Sequence, residues 1–234
     1  RARIIDIEYQ WTVDHEDLLL ASTNILYGTQ YTAFGPDHGT ASLGILMARS
    51  NSYGMAGMAH GARVDMISSC DAGGGWYPAN AINQAAALTG PGDIILLEQQ
   101  AYNYTLSNYC PLEYMPDVYS AIVNATTLGR IIIEPAGNGS ANLDDAAWSG
   151  IFNRAIRDSG AIMVGAGQAT DRARRSSSCH GSRVDIQGWG EKVATLGYTN
   201  LTGTAATNAY TKTFNGTSSA SALSAAAAAA VQSY

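Results

Sequence analysis

The chain has 234 residues, of which 46% are hydrophobic and 14% charged, and its formal net charge is −6. This length and apolar content suit one large α/β domain, and the acidic balance argues against nucleic acid or an anionic membrane as partner. No apolar run approaches the roughly 20 residues that span a bilayer. No signal peptide is visible, although a mature secreted chain would have lost it.

Short apolar runs of the kind that form buried strands alternate with helical patterns along the chain. The predicted strands are residues 2–9, 62–69, 93–100, 130–138 and 161–167, and the predicted helices are 39–49, 79–88, 116–128 and 215–230. Strands that are apolar throughout and alternate with helices indicate a mainly parallel sheet covered on both faces, a three-layer αβα architecture. Residues 73–75 and 198–213 read as surface loops or hairpins.

Several polar residues lie where the carboxyl edge of such a sheet is expected. Active sites of open α/β sheets form at that edge. Asp6 follows an apolar pair within the first strand, and Asn138 ends a later one. His38 and Ser218 each open a helix. Taken singly, each has an ordinary interpretation as a turn former, a helix cap or a hydrogen-bonded surface residue.

Taken in order, these four residues lie in motifs that resemble those of the subtilisin-like serine proteases. The aspartate segment is IIDIEYQWTVDHEDL, the histidine segment HGTASLG, the oxyanion segment PAGNG and the serine segment NGTSSAS. GMAGMAHGARV and SSSCHGSRVDIQGWG also resemble family segments. The resemblance extends from Asp6 to the end of the chain, so a single subtilisin-like peptidase domain over residues 1–234 is expected.

The resemblance implies a serine endopeptidase with four catalytic residues. Ser218 would be the nucleophile and His38 its general base, while Asp6 would orient the imidazole. The Ser218 backbone N–H and the Asn138 side-chain amide would hold the oxyanion. Polypeptide substrates, secretion, and association with protein inhibitors or the chain's own propeptide are expected on the same ground. The chemistry would need no cofactor.

The resemblance also assigns a substrate cleft. Gly73, Gly74 and Gly75 would line one side of the bound peptide, and Ala136 and Gly137 one pocket wall. Glu98, Gln99 and Gln100 replace small residues of the family's substrate-pairing strand. Their bulk would reshape the pocket before the cleaved bond or point away from it. A preference of Glu98 for a basic substrate residue is one hypothesis.

The chain departs from the family pattern at several positions. Glu8 stands two residues after Asp6, where the family usually has glycine, and Ala41 and Ala222 replace a usual histidine and proline. Only five residues precede Asp6, which is short for the family. Asp17 and Asn51 match ligands of a structural calcium, but the ligand that the family's N-terminal residues supply has no counterpart, so calcium there stays open.

The sequence leaves open three alternative functions and the oxidation state of the cysteines. The fold could serve binding without turnover, or the same triad could run another acyl transfer, as in an esterase or peptide ligase. A related group of enzymes that act in acid has Glu where subtilisins have His. The presence of His38 and Asn138 argues against membership of that group. Cys70, Cys110 and Cys179 fit no zinc motif and allow one disulfide plus a thiol, or three buried thiols.

Overall fold

The computed structural model describes residues 2–20 and 22–233. In chain order the strands are β1 Arg3–Glu8, β2 Ile25–Tyr27, β3 Arg63–Ser68, β4 Ile94–Leu97, β5 Ala101–Asn103, β6 Asn108–Cys110, β7 Ile131–Pro135, β8 Ile162–Gly167, β9 Ile186–Trp189, β10 Val193–Leu196 and β11 Tyr210–Phe214. Seven of them form one parallel sheet in the order β2-β3-β1-β4-β7-β8-β9. The pairs β5–β6 and β10–β11 are antiparallel hairpins.

Four helices cover the two faces of the sheet. These are α1 Asp37–Met47, α2 Pro78–Leu88, α3 Pro116–Thr127 and α4 Gly216–Gln232. Successive strand residues point to opposite faces, so Ile4 joins the core beneath α1 and α4, while Ile5 joins the core beneath α2 and α3. Both faces are therefore buried, which is why the strands are apolar throughout, and the predicted three-layer α/β fold is confirmed.

The sequence prediction missed the short, half-exposed strands. The edge strands β2 and β9 have few buried side chains, so they lack the continuous apolar run that identifies a central strand. The hairpin β5–β6 was not predicted, and β11 begins inside the segment 198–213 that was expected to be a loop or hairpin. Tertiary pairing, rather than local sequence pattern, makes these segments strands.

Helix α1 packs closely against the hairpin β10–β11 because a glycine lies at their contact. A Cβ atom added to Gly44 would come within 2.6 Å of Leu196 Cγ and 2.9 Å of Leu196 N. These distances are too short for van der Waals contact, so no larger residue fits without moving the hairpin. This contact matters for the site, because α1 carries His38 and β11 ends at Phe214, whose ring packs against the His38 imidazole.

We predict that Gly44→Ala destabilises the protein by about 1–3 kcal/mol, the usual cost of overpacking. Helix propensity alone would give the opposite sign, because Ala is favoured over Gly by about 1 kcal/mol in a helix interior. Denaturant unfolding measures the change. Gly61→Ala is the control, since nothing lies within 4 Å of a Cβ placed there. A stabilised Gly44→Ala protein would contradict the close packing.

Candidate active site

Ser218 and His38 meet at the carboxyl edge of the parallel sheet. The Ser218 Oγ lies 3.0 Å from His38 Nε2, although 180 residues separate them in the chain. Ser218 is the third residue of α4, and His38 is the second residue of α1. The two helices lie side by side on the same face of the sheet, so their N-terminal turns bring the two side chains together.

The start of α4 is shaped by a glycine with a left-handed backbone. Gly216 has φ +84°, and a Cβ there would lie 2.9 Å from Asn138 Oδ1, so both conformation and space require glycine. The neighbouring serines have other roles, as expected for the first turn. Ser219 Oγ donates to the Trp189 and Gly216 carbonyls, and Ser221 is buried within the helix packing.

Asn138 is held with its side-chain carbonyl turned toward α4. Its Oδ1 accepts a hydrogen bond of 3.0 Å from the Thr217 backbone N–H. Its own backbone N–H donates to Gln100 Oε1 at 2.8 Å. Because Oδ1 accepts from Thr217, the Nδ2 group lies on the side of the amide opposite that N–H.

The carboxylate beside His38 is Glu8, not Asp6. Glu8 Oε1 contacts His38 Nδ1, the ring nitrogen opposite the one that faces Ser218. Asp6 Oδ2 instead accepts a 2.7 Å hydrogen bond from Trp11 Nε1. The contact with His38 that was expected of Asp6 is made by Glu8, a position predicted to depart from the family pattern.

Strand geometry explains why Glu8 reaches His38 and Asp6 does not. Residues two apart in a strand point to the same side, so both carboxyl groups face the α1 layer. Each step of two residues advances the chain by about 6.6 Å. Glu8 is the last residue of β1 and so lies at the carboxyl edge, whereas Asp6 lies deeper in the sheet. This end-of-strand position was the signal that the sequence reading missed.

The surroundings of His38 act on its basicity in opposite directions. Burial by itself lowers the pKa of the imidazole, but the Glu8 charge, the Glu8 hydrogen bond and then Asp6 raise it above the ordinary value of 6.5. The side chain is still 35% exposed at the cleft, so solvent screens part of this interaction. The ring edge also packs on Phe214, with centroids 5.5 Å apart.

Asp6 is completely buried within the sheet. Burial first and the Glu8 charge second raise its pKa well above the ordinary value, against the lowering effects of the Trp11 hydrogen bond and His38. Its Oδ1 lacks a hydrogen-bond partner among the described residues. These effects favour the neutral form of Asp6, and its carboxyl group supports the loop at Trp11.

Two adjoining pockets meet at the Ser218 hydroxyl. They enclose about 410 and 430 Å³, and both are lined by His38, Gln100, Asn138, Tyr198 and Ser218. The second is also lined by aromatic side chains of Tyr9, Phe34 and Tyr109. A larger apolar groove of about 640 Å³, between β9 and α4, contains none of the site residues in its described lining. An extended chain crossing the two smaller pockets would pass over Ser218.

Some of the other residues predicted to bind substrate line the two pockets, and others lie outside their lining. Gln100 lines both pockets, while Gln99 lines one and is tied to Ser69 Oγ at 2.6 Å and Trp76 Nε1 at 3.0 Å. The turn at Gly73–Gly75 is held by Asp71, which accepts from the Gly73 and Gly75 N–H groups. In the described structure this turn and the buried pair Ala136 and Gly137 lie outside the lining of both pockets.

Glu98 points into the catalytic cluster. Glu98 as a whole residue is only 3% exposed to solvent. Burial raises its pKa well above the ordinary value, and the Asp6 and Glu8 charges raise it further, against the hydroxyls of Ser42 and Ser218. These shifts favour the neutral form of Glu98, which attracts a basic substrate residue less than a carboxylate would, so they oppose the expected basic preference.

Asp17 and Asn51 do not present a cage of oxygen atoms for calcium. The Asp17 carboxylate accepts a 2.7 Å hydrogen bond from Asn51 Nδ2 and one of 2.8 Å from the Met55 backbone N–H. Asn51 thus directs its amino group, not its oxygen, at Asp17. Calcium requires six to eight oxygen ligands, and here the pair satisfies itself with hydrogen bonds. These residues do not fit the proposed calcium site.

Each of the three cysteines is a buried free thiol in the described structure. This arrangement corresponds to one of the two alternatives that the sequence left open. Among the described residues, no helix combines the length and apolar character needed to cross a bilayer.

Comparisons with known proteins bear on the whole chain. A comparison with protein-family models matches residues 20–234 to the subtilase family. No curated protein sequence matches the chain. Among solved structures, a cold-adapted subtilisin-like serine proteinase is 18% identical, with TM-score 0.68, covering 99% of this chain and 75% of that one. A protease from Pseudoalteromonas arctica is 20% identical, with TM-score 0.69, covering 99% and 77%. At these identities the structural likeness shows the fold.

We predict that the pKa of His38, followed by NMR titration of the ring, lies above 6.5 and falls in Glu8→Gln. Removing the Glu8 charge removes the main interaction that favours the imidazolium. Asp6→Asn is the matched control and should lower the pKa less, because Asp6 is hydrogen-bonded to Trp11 and affects His38 less than Glu8 does. An equal or larger shift in Asp6→Asn would restore Asp6 as the partner of His38.

Proposed function

The chain belongs to the subtilase family of serine endopeptidases, and we propose that it hydrolyses peptide bonds with Ser218, His38 and Glu8 as its triad. The observation that carries this proposal is the position of the His38 ring. One ring nitrogen lies 3.0 Å from Ser218 Oγ, and the other contacts Glu8. A nucleophile, a base and an orienting acid in this order are what acyl transfer by an alcohol requires.

In the acylation step, His38 Nε2 accepts the Ser218 hydroxyl proton while Oγ attacks the peptide carbonyl. Glu8 accepts a hydrogen bond from Nδ1, so the neutral ring keeps its free electron pair on Nε2, facing Ser218. The Glu8 carboxylate also stabilises the imidazolium that forms. His38 then donates the proton to the leaving amine, and the substrate acyl group stays on Ser218 as an ester.

Negative charge develops on the substrate oxygen during this attack. The Asn138 Nδ2 group and the Ser218 backbone N–H, at the N-terminus of α4, are the donors for that oxyanion. The hydrogen bond from Thr217 to Asn138 Oδ1 orients the amide before substrate arrives. Water, deprotonated by His38, then attacks the ester and releases the second product.

Polypeptides are the proposed substrates, bound across the two pockets that meet at Ser218. The aromatic lining by Tyr9, Phe34 and Tyr109 favours apolar side chains next to the cleaved bond. Secretion, and recognition by protein inhibitors or a propeptide, remain predictions from the family resemblance.

We expect Ser218→Ala to abolish hydrolysis of casein at neutral to alkaline pH and labelling by a covalent serine-hydrolase probe. The alanine removes the attacking oxygen but no packing atom of consequence. Ser224→Ala is the control, because that hydroxyl lies on the same helix and only donates to the Ala220 carbonyl. Turnover that survives in Ser218→Ala would refute the proposed nucleophile. A wild-type protein with neither activity nor labelling would indicate a binding role for the fold.

Asn138→Ala should lower kcat by about 10²–10³, the range known for removing this donor in subtilisin itself, with a smaller change in KM. The donor acts on charge that exists only in the transition state. Asn215→Ala is the control, since Asn215 lines the same pocket but binds the Thr213 carbonyl. Steady-state kinetics on a peptide substrate separate the two constants. A loss confined to KM would contradict the oxyanion role.

A further inference from the structure

A third carboxyl group, that of Glu98, lies level with Glu8, directly after the neighbouring strand β4. The parallel register of β1 and β4 pairs Asp6 with Leu96 and Ile7 with Leu97, and the Glu98 N–H donates to the Ile7 carbonyl at 3.1 Å. The next step of this register brings Glu98 beside Glu8. Polar atoms of Glu8, His38 and Glu98 consequently lie within 4.8 Å of one another.

The Glu98 carboxyl is buried and has unused hydrogen-bonding capacity. Among the described residues, neither of its oxygens has a partner with hydrogen-bond geometry, yet the hydroxyls of Ser42 and Ser218 lie close enough to influence it. A buried charge without a partner is strongly unfavourable. A proton on Glu98 removes that cost and creates a donor beside the nucleophile.

The charges around Glu98 reinforce this conclusion. The groups that face it are Asp6 and Glu8 from β1, His38 and Ser42 from α1, Ser218 from α4, and Tyr198 from the segment after β10. His38 alone among them can carry a positive charge, and it is paired with Glu8.

A second buried acid in this protein, Glu113, is paired with a cation. Glu113 is 2% exposed and is bound by the buried guanidinium of Arg183 through two contacts of 2.7 and 2.9 Å. In the part of the chain that the structure describes, Glu98 has no such cation within ion-pair distance. Burial and the two neighbouring acids therefore favour the protonated form of Glu98.

We propose that Glu98 is a further catalytic residue, a neutral carboxylic acid that donates a hydrogen bond to Ser218 Oγ and must keep its proton for turnover. The proposal rests on the proposed endopeptidase function. The Ser218 oxygen accepts from Glu98 while its own proton goes to His38, and the Glu98 proton does not transfer. The same donor stabilises the alkoxide character of Oγ when it leaves the acyl-enzyme.

Ionisation of Glu98 opposes catalysis in two ways. The carboxylate accepts the hydrogen bond of the Ser218 hydroxyl in place of His38, which draws the nucleophile away from its base. It also adds negative charge beside the forming oxyanion and raises the pKa of His38 further. Because burial and the neighbouring acids raise the pKa of Glu98, activity is present while the group is protonated and is lost as pH rises through that raised pKa.

The test is the pH dependence of kcat/KM on a neutral peptide substrate. We expect a wild-type profile with an alkaline limb that falls about tenfold per pH unit, as for loss of one essential proton. Glu98→Gln keeps a donor of the same size but cannot ionise, so it should lose the limb and keep the acid limb of His38. Its kcat at the wild-type optimum should fall by about tenfold, because an amide is the weaker donor.

Two controls separate other causes of an alkaline limb. Burial raises the pKa of Tyr198 to about 12, so Tyr198→Phe should leave the limb unchanged, and circular dichroism at each pH detects unfolding. An identical alkaline limb in wild type and Glu98→Gln would overturn the proposal while leaving the triad intact. Absence of any Ser218-dependent hydrolysis would instead overturn the proposed function.

If Glu98→Gln does not fold, the protonation of Glu98 can still be measured in the wild-type protein. NMR of protein labelled with ¹³C at glutamate Cδ reports each carboxyl directly, and the Glu98→Asp variant identifies the Glu98 signal by its loss. We expect the Glu98 signal to be that of a protonated acid at neutral pH and to titrate on the alkaline side. A signal that titrates in the ordinary acidic range would overturn the proposal.

Discussion

The contact between Glu8 and His38 Nδ1 is the interaction on which the site depends. It joins the end of β1 to the start of α1 and fixes which nitrogen of the imidazole faces Ser218. A ring turned the other way would present a protonated nitrogen to the hydroxyl and could not accept its proton. In the proposed mechanism, the remaining parts of the site, including the amide of Asn138, act only when this ring is oriented.

This contact has a cost, because the acid that orients His38 lies among other acids. Asp6, Glu8 and Glu98 are all buried at the junction of β1 and β4, and one imidazole can balance only one negative charge. Burial raises the pKa of the other two, with Asp6 bonded to Trp11 and Glu98 facing Ser42 and Ser218. The surroundings of the cluster thus favour the protonated form of these two carboxyl groups.

The positions of the site residues follow from the architecture rather than from local loops. Parallel strands end at one edge, and the helices that follow or flank them begin there. Glu8, Glu98 and Asn138 come from or follow three strands, while His38 and Ser218 come from two helix starts. The glycines at 44 and 216 allow those helices to approach the hairpin and the Asn138 amide closely.

Much of the fold and of the site could be predicted from the sequence, because these features depend on local sequence pattern. Apolar runs and helical periodicity predicted the central strands and the four helices, and motif order brought His38, Asn138 and Ser218 into one hypothesis. The edge strands β2 and β9 and the hairpin β5–β6 were not predicted, because their pairing depends on contacts that the local sequence pattern does not show. The choice between Asp6 and Glu8 escaped as well, since the motif contains two acids on one face of one strand.

Local pattern and motif in the chain predict the layer architecture, the helix that carries the serine, and the residue types needed for acyl transfer. Which acid contacts His38, and that Glu98 lies in the same cluster, depends on the packing of distant segments. The physical reason is that a carboxyl group acts through distances of a few ångströms, and those distances are set by strand register and helix packing between segments up to 180 residues apart in the chain.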